Sequence, residues 1–576
     1  MNDWDAIVIG SGLGGLTCAA YLTAAGKRTL VLEQNQVAGG CSQVFRRKGN
    51  RYEFDVGMHY IGECHPGGRM TTALRGLGLD GRIEFRQLDP DGHSTLVFPG
   101  LTFRVPSDWD TYLARLIEAF PDQQRGLRRC VGILRRVGAE LRAGVLPRPT
   151  VRDMLRFVRA APTIAAVGQL PLTWLFAACR LSPLARAVIV GESGDYGAPP
   201  SRTSIALHGG FLDHYLTGGA WYPRGGGQVV PAHLIDVIQT HGGQVRTKAR
   251  VTRVLVEDGA ATGVQLDRGE TIHAPIVVSG ADLKRTYLDL VGREHLAPAT
   301  VARVERYRMA LPLFSVYLGV DIDLTDRMPN STYWCYPHTD VEGLYRDAYE
   351  GRIPAEVPIF LTSATTKDPG NTHAAPPGHS TLEVMCLAPH GTFWPGGDGY
   401  SRNPEYLARK ERLTEHLIDR AATVIPGLRQ HIVWREASSP VTQERFTLSS
   451  LGSCYGIEMA ADQIGPRRPG PRTEIRGLWL TGASTIWGSG IVGAVSGGLG
   501  TAGAILRRPL SAEVKAGAVL ADPAKLTPIG PDWDPLAASK PSSPLRRRFR
   551  GAAEQDVAAT VTPLAPHPSN PGRSFP

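Results

Sequence analysis

An α/β fold is predicted by three features of this chain that lie far apart in it. Asp5-Ala-Ile-Val-Ile-Gly10 reads as a short buried strand running straight into Gly10-Ser-Gly12-Leu-Gly14-Gly15 and an Ala/Leu-rich helix that stops at Gly26. A second strand, Arg28-Thr-Leu-Val-Leu-Glu33, ends on a carboxylate. Near the other end, Arg476-Gly-Leu-Trp-Leu-Thr-Gly482 reads as a further strand, and Ile486-Trp-Gly-Ser-Gly490-Ile491-Val492-Gly493 opens a small-residue helix reaching Leu506.

Each element has a physical reading. Gly10 allows a sharp turn, Gly12 lets backbone approach a pyrophosphate, and Gly15 lets the helix lie close on the strand. Gly14 sits in the same first turn, where free N–H groups and the positive dipole end face the phosphates. Glu33 lies 23 positions after Gly10, near the offset of roughly 20 for the acid that binds a ribose 2′-OH. It argues against a 2′-phosphate but does not separate NAD from FAD. The return at 476–506 does: a flavin at the far end of the dinucleotide needs its own helix N-terminus and close-packed backbone. The prediction is a Rossmann-like FAD-binding domain built from three chain segments.

The boundaries follow. Residues 1–70 form the first FAD-binding segment, and 71–215, where strands alternate with amphipathic and apolar helices, form a substrate/cap region that includes the helical cap. Residues 216–295 form the second segment. There Gly225-Gly-Gly227 starts a helix from Val229 to His241, and strands are expected over 244–257, 260–267 and 271–279. Runs such as Phe314-Ser-Val-Tyr-Leu-Gly-Val320 and Thr381-Leu-Glu-Val-Met-Cys-Leu387 place the sheet of an α+β substrate domain in 296–470. Residues 471–508 complete the FAD-binding domain, and 509–576, rich in Pro, Ala and Ser, read as a disordered tail.

The 576 residues are 42% hydrophobic and carry a formal charge of +9, part of it local to Arg546-Arg-Arg-Phe-Arg550. No basic patch interleaved with aromatics suggests nucleic acid. Eight cysteines without CxxC spacing read as reduced thiols, not a disulfide framework or zinc site. A strand starting near Asp5 leaves no room for a cleavable signal peptide, which places the protein in the cytoplasm or at the cytoplasmic face of a membrane. Residues 160–179 hold no charge and follow Arg148, Arg152, Arg156 and Arg159. Pro162, Gly168, Gln169 and Pro171 break them into short pieces, so a spanning helix is not expected. The favoured reading is a cap over a greasy cavity; peripheral membrane contact is compatible with it.

Four motifs carry a family resemblance. Leu32-Glu-Gln-Asn-Gln-Val-Ala-Gly39-Gly40-Cys-Ser, Phe54-Asp55-Val-Gly57-Met-His59-Tyr60-Ile-Gly62, Tyr222-Pro-Arg-Gly-Gly-Gly227 and Leu480-Thr-Gly482 resemble the phytoene desaturase and carotenoid isomerase superfamily of FAD-dependent oxidoreductases. Gly-Gly-Cys, Phe-Asp-x-Gly-x-His-Tyr-x-Gly, His214-Tyr215 and Tyr455-Gly456 look closer to its retinol saturase branch. The resemblance covers most of residues 5–507. It implies an FAD domain interleaved with a substrate domain, hydride transfer at the flavin, and a hydrophobic polyene (carotenoid, retinoid or isoprenoid) as substrate, with saturation favoured over desaturation or isomerisation.

Gly39 and Gly40 are expected against the phosphates, and Gly482, Gly490, Ile491 and Val492 against the flavin. The family pattern puts a backbone contact to the adenine at Val251, for which a plain core valine is the equal alternative. The resemblance brings His59 and Tyr60 beside the flavin as catalytic candidates, His59 either donating a proton or only hydrogen bonding. Trp487 is expected as a pocket wall, and His208 and His214 as structural. No HExxH or His/Cys cluster points to a metal. With no second nucleotide motif for NADPH, electrons must come from a diffusible donor, a quinone or a partner reductase. The rival readings are a non-catalytic isoprenoid escort, against which Gly482, Gly490 and Gly493 weigh, and an amine oxidase, which needs an aromatic cage.

Overall fold

The computed structural model describes residues 4–47, 49, 51–144, 151–393, 400–530 and 532–541, apart from the side chains of 151–154. Strands Ala6–Ile9, Thr29–Leu32, Gln244–Arg246, Val277–Ser279 and Leu478–Leu480 make one parallel sheet, with the third strand at one edge and the last at the other. All four residues of each of the first two strands are buried, as a parallel sheet covered on both faces requires. All three predicted segments therefore contribute to one Rossmann-like sheet.

The helices Leu13–Ala24 and Gly490–Leu506 pack against each other at glycine contacts. A Cβ on Gly14 would lie 2.7 Å from the Gly482 Cα, and one on Gly498 would lie 2.6 Å from the Gly14 carbonyl oxygen. Thr481 Oγ1 donates to that same carbonyl. Backbone thus meets backbone where the two halves of the domain join.

Two expected strands are each divided between sheets. The 244–257 run becomes Gln244–Arg246 in the parallel sheet and Val251–Glu257 in a three-stranded antiparallel sheet with Ala260–Leu266 and Thr271–His273. Lys248, with φ 54°, turns the chain between them. Likewise 271–279 is cut at Pro275, which cannot donate to a ladder, into Thr271–His273 and Val277–Ser279.

The substrate-domain sheet has seven strands, ordered Ile432–Ser438, Leu313–Val320, Ser380–Leu387, Ile359–Thr362, Thr332–Cys335, Ser94–Phe98 and Leu101–Val105. The last two come from the region assigned to the cap, and Ser94–Phe98 joins parallel to Thr332–Cys335. The cap itself is helical. Ile164, Leu172, Leu175 and Phe176 from the charge-free stretch are buried with Trp109, Tyr112 and Leu134. Among the described residues no helix is long and apolar enough to cross a membrane.

Residues 509–541 correct the expectation of a disordered tail. Helix Leu510–Lys515 buries Leu510 and Val514, and Ala521 and Leu526 join the same core as the Leu13–Ala24 helix. Further on, Leu536 packs with Val37 and Val44, Asp534 pairs with Arg46 at 2.7 Å, and the Ala38 N–H donates to the Ser539 carbonyl. These apolar residues are too irregularly spaced to show a period. Residues 542–576, with Arg546–Arg550, and Arg148 lie outside the described residues.

Candidate functional site

The dinucleotide end of the site is backbone. The Leu13–Ala24 helix begins at Gly12 with no side-chain cap and no acidic residue in its first turn, so its N–H groups are free for an anion. A Cβ on Gly12 would meet nothing within 4 Å, whereas one on Gly15 would lie 2.2 Å from the Gly10 carbonyl oxygen. Gly12 thus borders open space, and Gly15 lets the helix approach the strand. Gly10, Gly39 and Gly40 have φ of 87°, 136° and 58°. Gly39 bridges to Gly12, and a Cβ on Gly40 would come 2.8 Å from the Gly12 Cα.

Glu33 is 6% exposed. Ser11 donates to its Oε2 from N at 3.0 Å and from Oγ at 2.6 Å, and the Asn35 N–H donates to its Oε1. That fixes a carboxylate beside the glycine turn, where a ribose hydroxyl would bind. The Ala249 N–H donates to the Glu33 carbonyl, which brings Val251 to this end; its side chain is buried with Ile7, Ile9 and Leu32.

The Gly490–Leu506 helix likewise starts uncapped and without an acid in its first turn. Gly490, at φ 78°, is exposed and has no neighbour for a Cβ within 4 Å, and Gly482 has φ 91°. Ile491 and Val492 occupy that first turn, Val492 buried. Arg468, 4% exposed, holds the loop by donating to the carbonyls of Ala483 and Thr485 as well as Ile457 and Glu458. Trp487 packs over Gly500 of the same helix and supports the loop.

Cys41, which follows Gly40, and Gly57 are exposed and in contact, a Cβ on Gly57 lying 3.2 Å from the Cys41 carbonyl oxygen. Burial nonetheless pushes the Cys41 thiol up, so these residues line interior space. Two uncapped helix ends joined by a glycine-walled cleft fit an extended dinucleotide with a second ring system, as FAD is. When bound, the flavin supplies two-electron hydride chemistry at its N5.

Beyond the cleft lies an aromatic cluster. Tyr60 and Tyr215 meet tilted at 5.2 Å, Trp334 meets Phe360 at 4.5 Å, and Tyr222 and Met385 complete the group. His59 lies 5.7 Å from Phe360. Its ring keeps 16% of its surface accessible although it sits deep in the protein, so its open edge also faces interior space. Burial, helped by the charge of Lys367, lowers the imidazole to about 3. His59 is therefore neutral near pH 7, not the near-neutral titrating group that its residue type suggests. Tyr60 donates to Asp195, whose buried carboxyl is pushed well up.

Two of the sequence motifs meet at Asp55, which accepts from the Tyr222 hydroxyl at 2.5 Å and from the Gly227 N–H at 3.0 Å. Gln228 clamps the neighbouring loop, bonding the Val44 N–H and the Ala38 carbonyl. His208 donates from Nε2 to the Ile189 carbonyl and bonds the Tyr196 hydroxyl at Nδ1, and His214 sits against Glu63 and Arg69, which gives both a structural setting.

Sequence reasoning missed Lys367, Glu383 and Asp195. Glu383 had a signal: it is the lone charge in an otherwise apolar strand, Thr381–Leu387.

The chain belongs to the flavin-containing amine oxidoreductase family, whose sequence model matches residues 13–506. Its cofactor is FAD. Among individual relatives, the all-trans-retinol 13,14-reductase of Homo sapiens is 31% identical over 541 residues, 89% of this chain and 87% of the relative. The lycopene-forming phytoene desaturase of Pseudescherichia vulneris is 27% identical over 507 residues, 86% of this chain and 98% of the relative. A solved oxidoreductase from Methanosarcina mazei shares the fold with a TM-score of 0.57 at 16% identity, covering 87% and 100% of the two chains.

Proposed function

We propose that this protein is an FAD-dependent oxidoreductase that adds hydrogen across a carbon–carbon double bond of a hydrophobic polyene. The observation that carries the reading is the arrangement of the site: a backbone cleft for the dinucleotide opens onto an aromatic wall, with no nucleophile among the described residues poised for acyl or phosphoryl chemistry. An alkene offers no handle for such a nucleophile. What it needs is orientation against the flavin and one proton. The aromatic cluster orients the chain and excludes water, and the loop 57–62 brings His59 and Tyr60 to its edge. The 31% identity to a retinol 13,14-reductase supports saturation.

Desaturation is the second reading, favoured by a similarity that spans 98% of a phytoene desaturase; isomerisation uses the same site. The measurement that separates them is anaerobic photoreduction of the holoenzyme, addition of a retinoid or carotenoid, and mass spectrometry of the product. Saturation returns the oxidised flavin spectrum and a product two hydrogens heavier. A product of unchanged mass means isomerisation. A reduced flavin indifferent to every polyene, with oxidised enzyme yielding a product two hydrogens lighter, means desaturation.

Electron supply in this reading falls to a quinone or partner reductase. Leu155 and Val158, 54% and 45% exposed beside the exposed Arg156 and Arg159, together with Trp174, 44% exposed, support peripheral contact with the cytoplasmic face of a membrane. Co-sedimentation with anionic vesicles tests that contact: wild type should pellet, and a Leu155→Ser/Val158→Ser/Trp174→Ser variant should stay in the supernatant.

A further inference from the structure

Glu383 stands in the middle of the strand Ser380–Leu387, opposite Tyr317 on one side and Thr362 on the other. Alternation along the strand sends Leu382, Val384 and Cys386 into the sheet's own core, while Met385 faces the aromatic cluster; Glu383 shares the side of Met385. Its Oε2 lies 3.7 Å from Nδ1 of His59. Both atoms are buried, and neither has a hydrogen-bond partner among the described residues. Two unsatisfied polar atoms facing each other at that distance are costly unless they serve each other or a reaction.

The groups around the pair are charged and confined. Lys367, 1% exposed, donates from Nζ to the His59 carbonyl and to Thr362 Oγ1, and lies 4.9 Å over the Tyr222 ring. Asp55 is held by Tyr222 and Gly227. Burial pushes the Glu383 carboxyl well above the ordinary carboxylate range, with the charge of Asp55 adding to the rise and that of Lys367 opposing it. Burial also lowers Lys367 to about 8, against the pull of Asp55 and Glu383. Burial thus favours an undissociated acid beside a neutral imidazole, with an ammonium group at hand.

Resting on the polyene reading above, we propose that Glu383 makes His59 the proton donor of the hydrogen addition, with Lys367 as a positioning residue. A neutral imidazole that gives up the proton on Nε2 becomes an anion unless Nδ1 gains one in the same step. Glu383 supplies that second proton. In the step, one alkene carbon takes a hydride, both electrons included, from the reduced flavin, and the π bond breaks. The other carbon takes the proton from His59 Nε2. Nδ1 takes the proton of Glu383, whose O–H bond breaks to leave a carboxylate that the Lys367 ammonium offsets. A solvent proton then enters at Nε2 while Nδ1 returns its proton to Glu383, which restores both groups. The reaction consumes one reduced flavin and one net proton. The 3.7 Å gap must close by about 0.5–1 Å to reach hydrogen-bonding range, as it does when the substrate orders the ring.

The test uses holoenzyme photoreduced without oxygen and mixed with the polyene, comparing Glu383→Gln, Glu383→Asp and wild type. Glu383→Gln should slow flavin reoxidation by polyene roughly 10²–10⁴-fold, with reoxidation by dioxygen, which protonates no carbon, at the wild-type rate. Glu383→Asp should recover part of the loss. The solvent deuterium isotope effect on the polyene step should be present in wild type and altered in Glu383→Gln. Independently of turnover, the infrared spectrum of the protein should show a protonated carboxylic acid band that Glu383→Gln removes. Glu383→Gln with wild-type polyene kinetics, or wild type without that band, overturns the relay. Wild type that no polyene reoxidises overturns the polyene reading instead, and this step with it. If Glu383→Gln does not fold, Glu383→Asp and the infrared band decide.

Discussion

Replacing Gly12 by aspartate should move stability and cofactor binding in opposite directions. Gly12 is the N-cap of the Leu13–Ala24 helix, with φ −61° and ψ 163°, an extended conformation open to any L-residue. A Cβ there meets nothing within 4 Å. An aspartate therefore fits without strain and caps a helix that now has no side-chain cap. The gain is a few tenths of a kcal/mol from the cap and about 0.3–1 kcal/mol from the dipole. In the holoprotein the same carboxylate would stand where the pyrophosphate belongs. One pair of like charges about 4 Å apart at an effective dielectric of 20 costs about 4 kcal/mol, or roughly three powers of ten in affinity. The purified variant should be colourless, and its denaturant midpoint without flavin should equal or exceed that of wild-type apoprotein. Gly15→Ala is the contrast, since its Cβ would sit 2.2 Å from the Gly10 carbonyl oxygen and should weaken the fold itself. A yellow Gly12→Asp protein with wild-type flavin content would falsify the phosphate-cradle assignment. An apoprotein destabilised by more than about 1 kcal/mol, outside the usual range for an unstrained surface change, would refute the steric argument.

Two further outcomes are expected. A chain ending at Arg507 loses the buried side chains of Leu510, Val514, Leu526 and Leu536 and the Arg46–Asp534 pair. At about 1.5–3 kcal/mol per buried aliphatic side chain as an upper range, it should melt well below a chain ending at Pro541 and retain less FAD; equal melting and equal flavin content would remove the structural role given to 510–541. His208, fully buried between Tyr196 and the Ile189 carbonyl, is lowered by burial from 6.5 to about 4. The unfolded chain binds this proton first, so the contribution is whole above pH 6.5 and falls away as pH drops from 6.5 to 4, by about 3 kcal/mol for this group. His208→Gln should flatten the stability profile in that window, and an unchanged slope would show that His208 takes no part in it.

How much could be read from the sequence depended on how local each signal was. The first strand, glycine turn, helix and acid are contiguous, and each residue's conformational demand is visible at its own position. The return at 476–506 was legible because it repeats the same local grammar. Membership of a sheet is not local: Ser94–Phe98 looks like any short strand, and only its partner Thr332–Cys335, far along the chain, places it in the substrate domain. The 510–541 segment was misread because it has no helical or strand period to betray that Leu510, Leu526 and Leu536 are buried. His59 was found through its motif, but its protonation state belongs to its burial and to the charge of Lys367, which no spacing connects to it.

The sheet order carries one last consequence, for biosynthesis. Its edge strand, Leu478–Leu480, and the helix that follows are made long after Gly12 and Glu33. At about 5–20 residues per second, the nucleotide half of the cleft waits roughly 20 seconds to a minute and a half for the flavin half. Until then Ile7 and Val8, and Val277 once it is made, lack core neighbours such as Leu478, Leu480 and Val492. FAD can be gripped at both ends only once the chain has been made through Leu506, which makes cofactor capture a late event in synthesis.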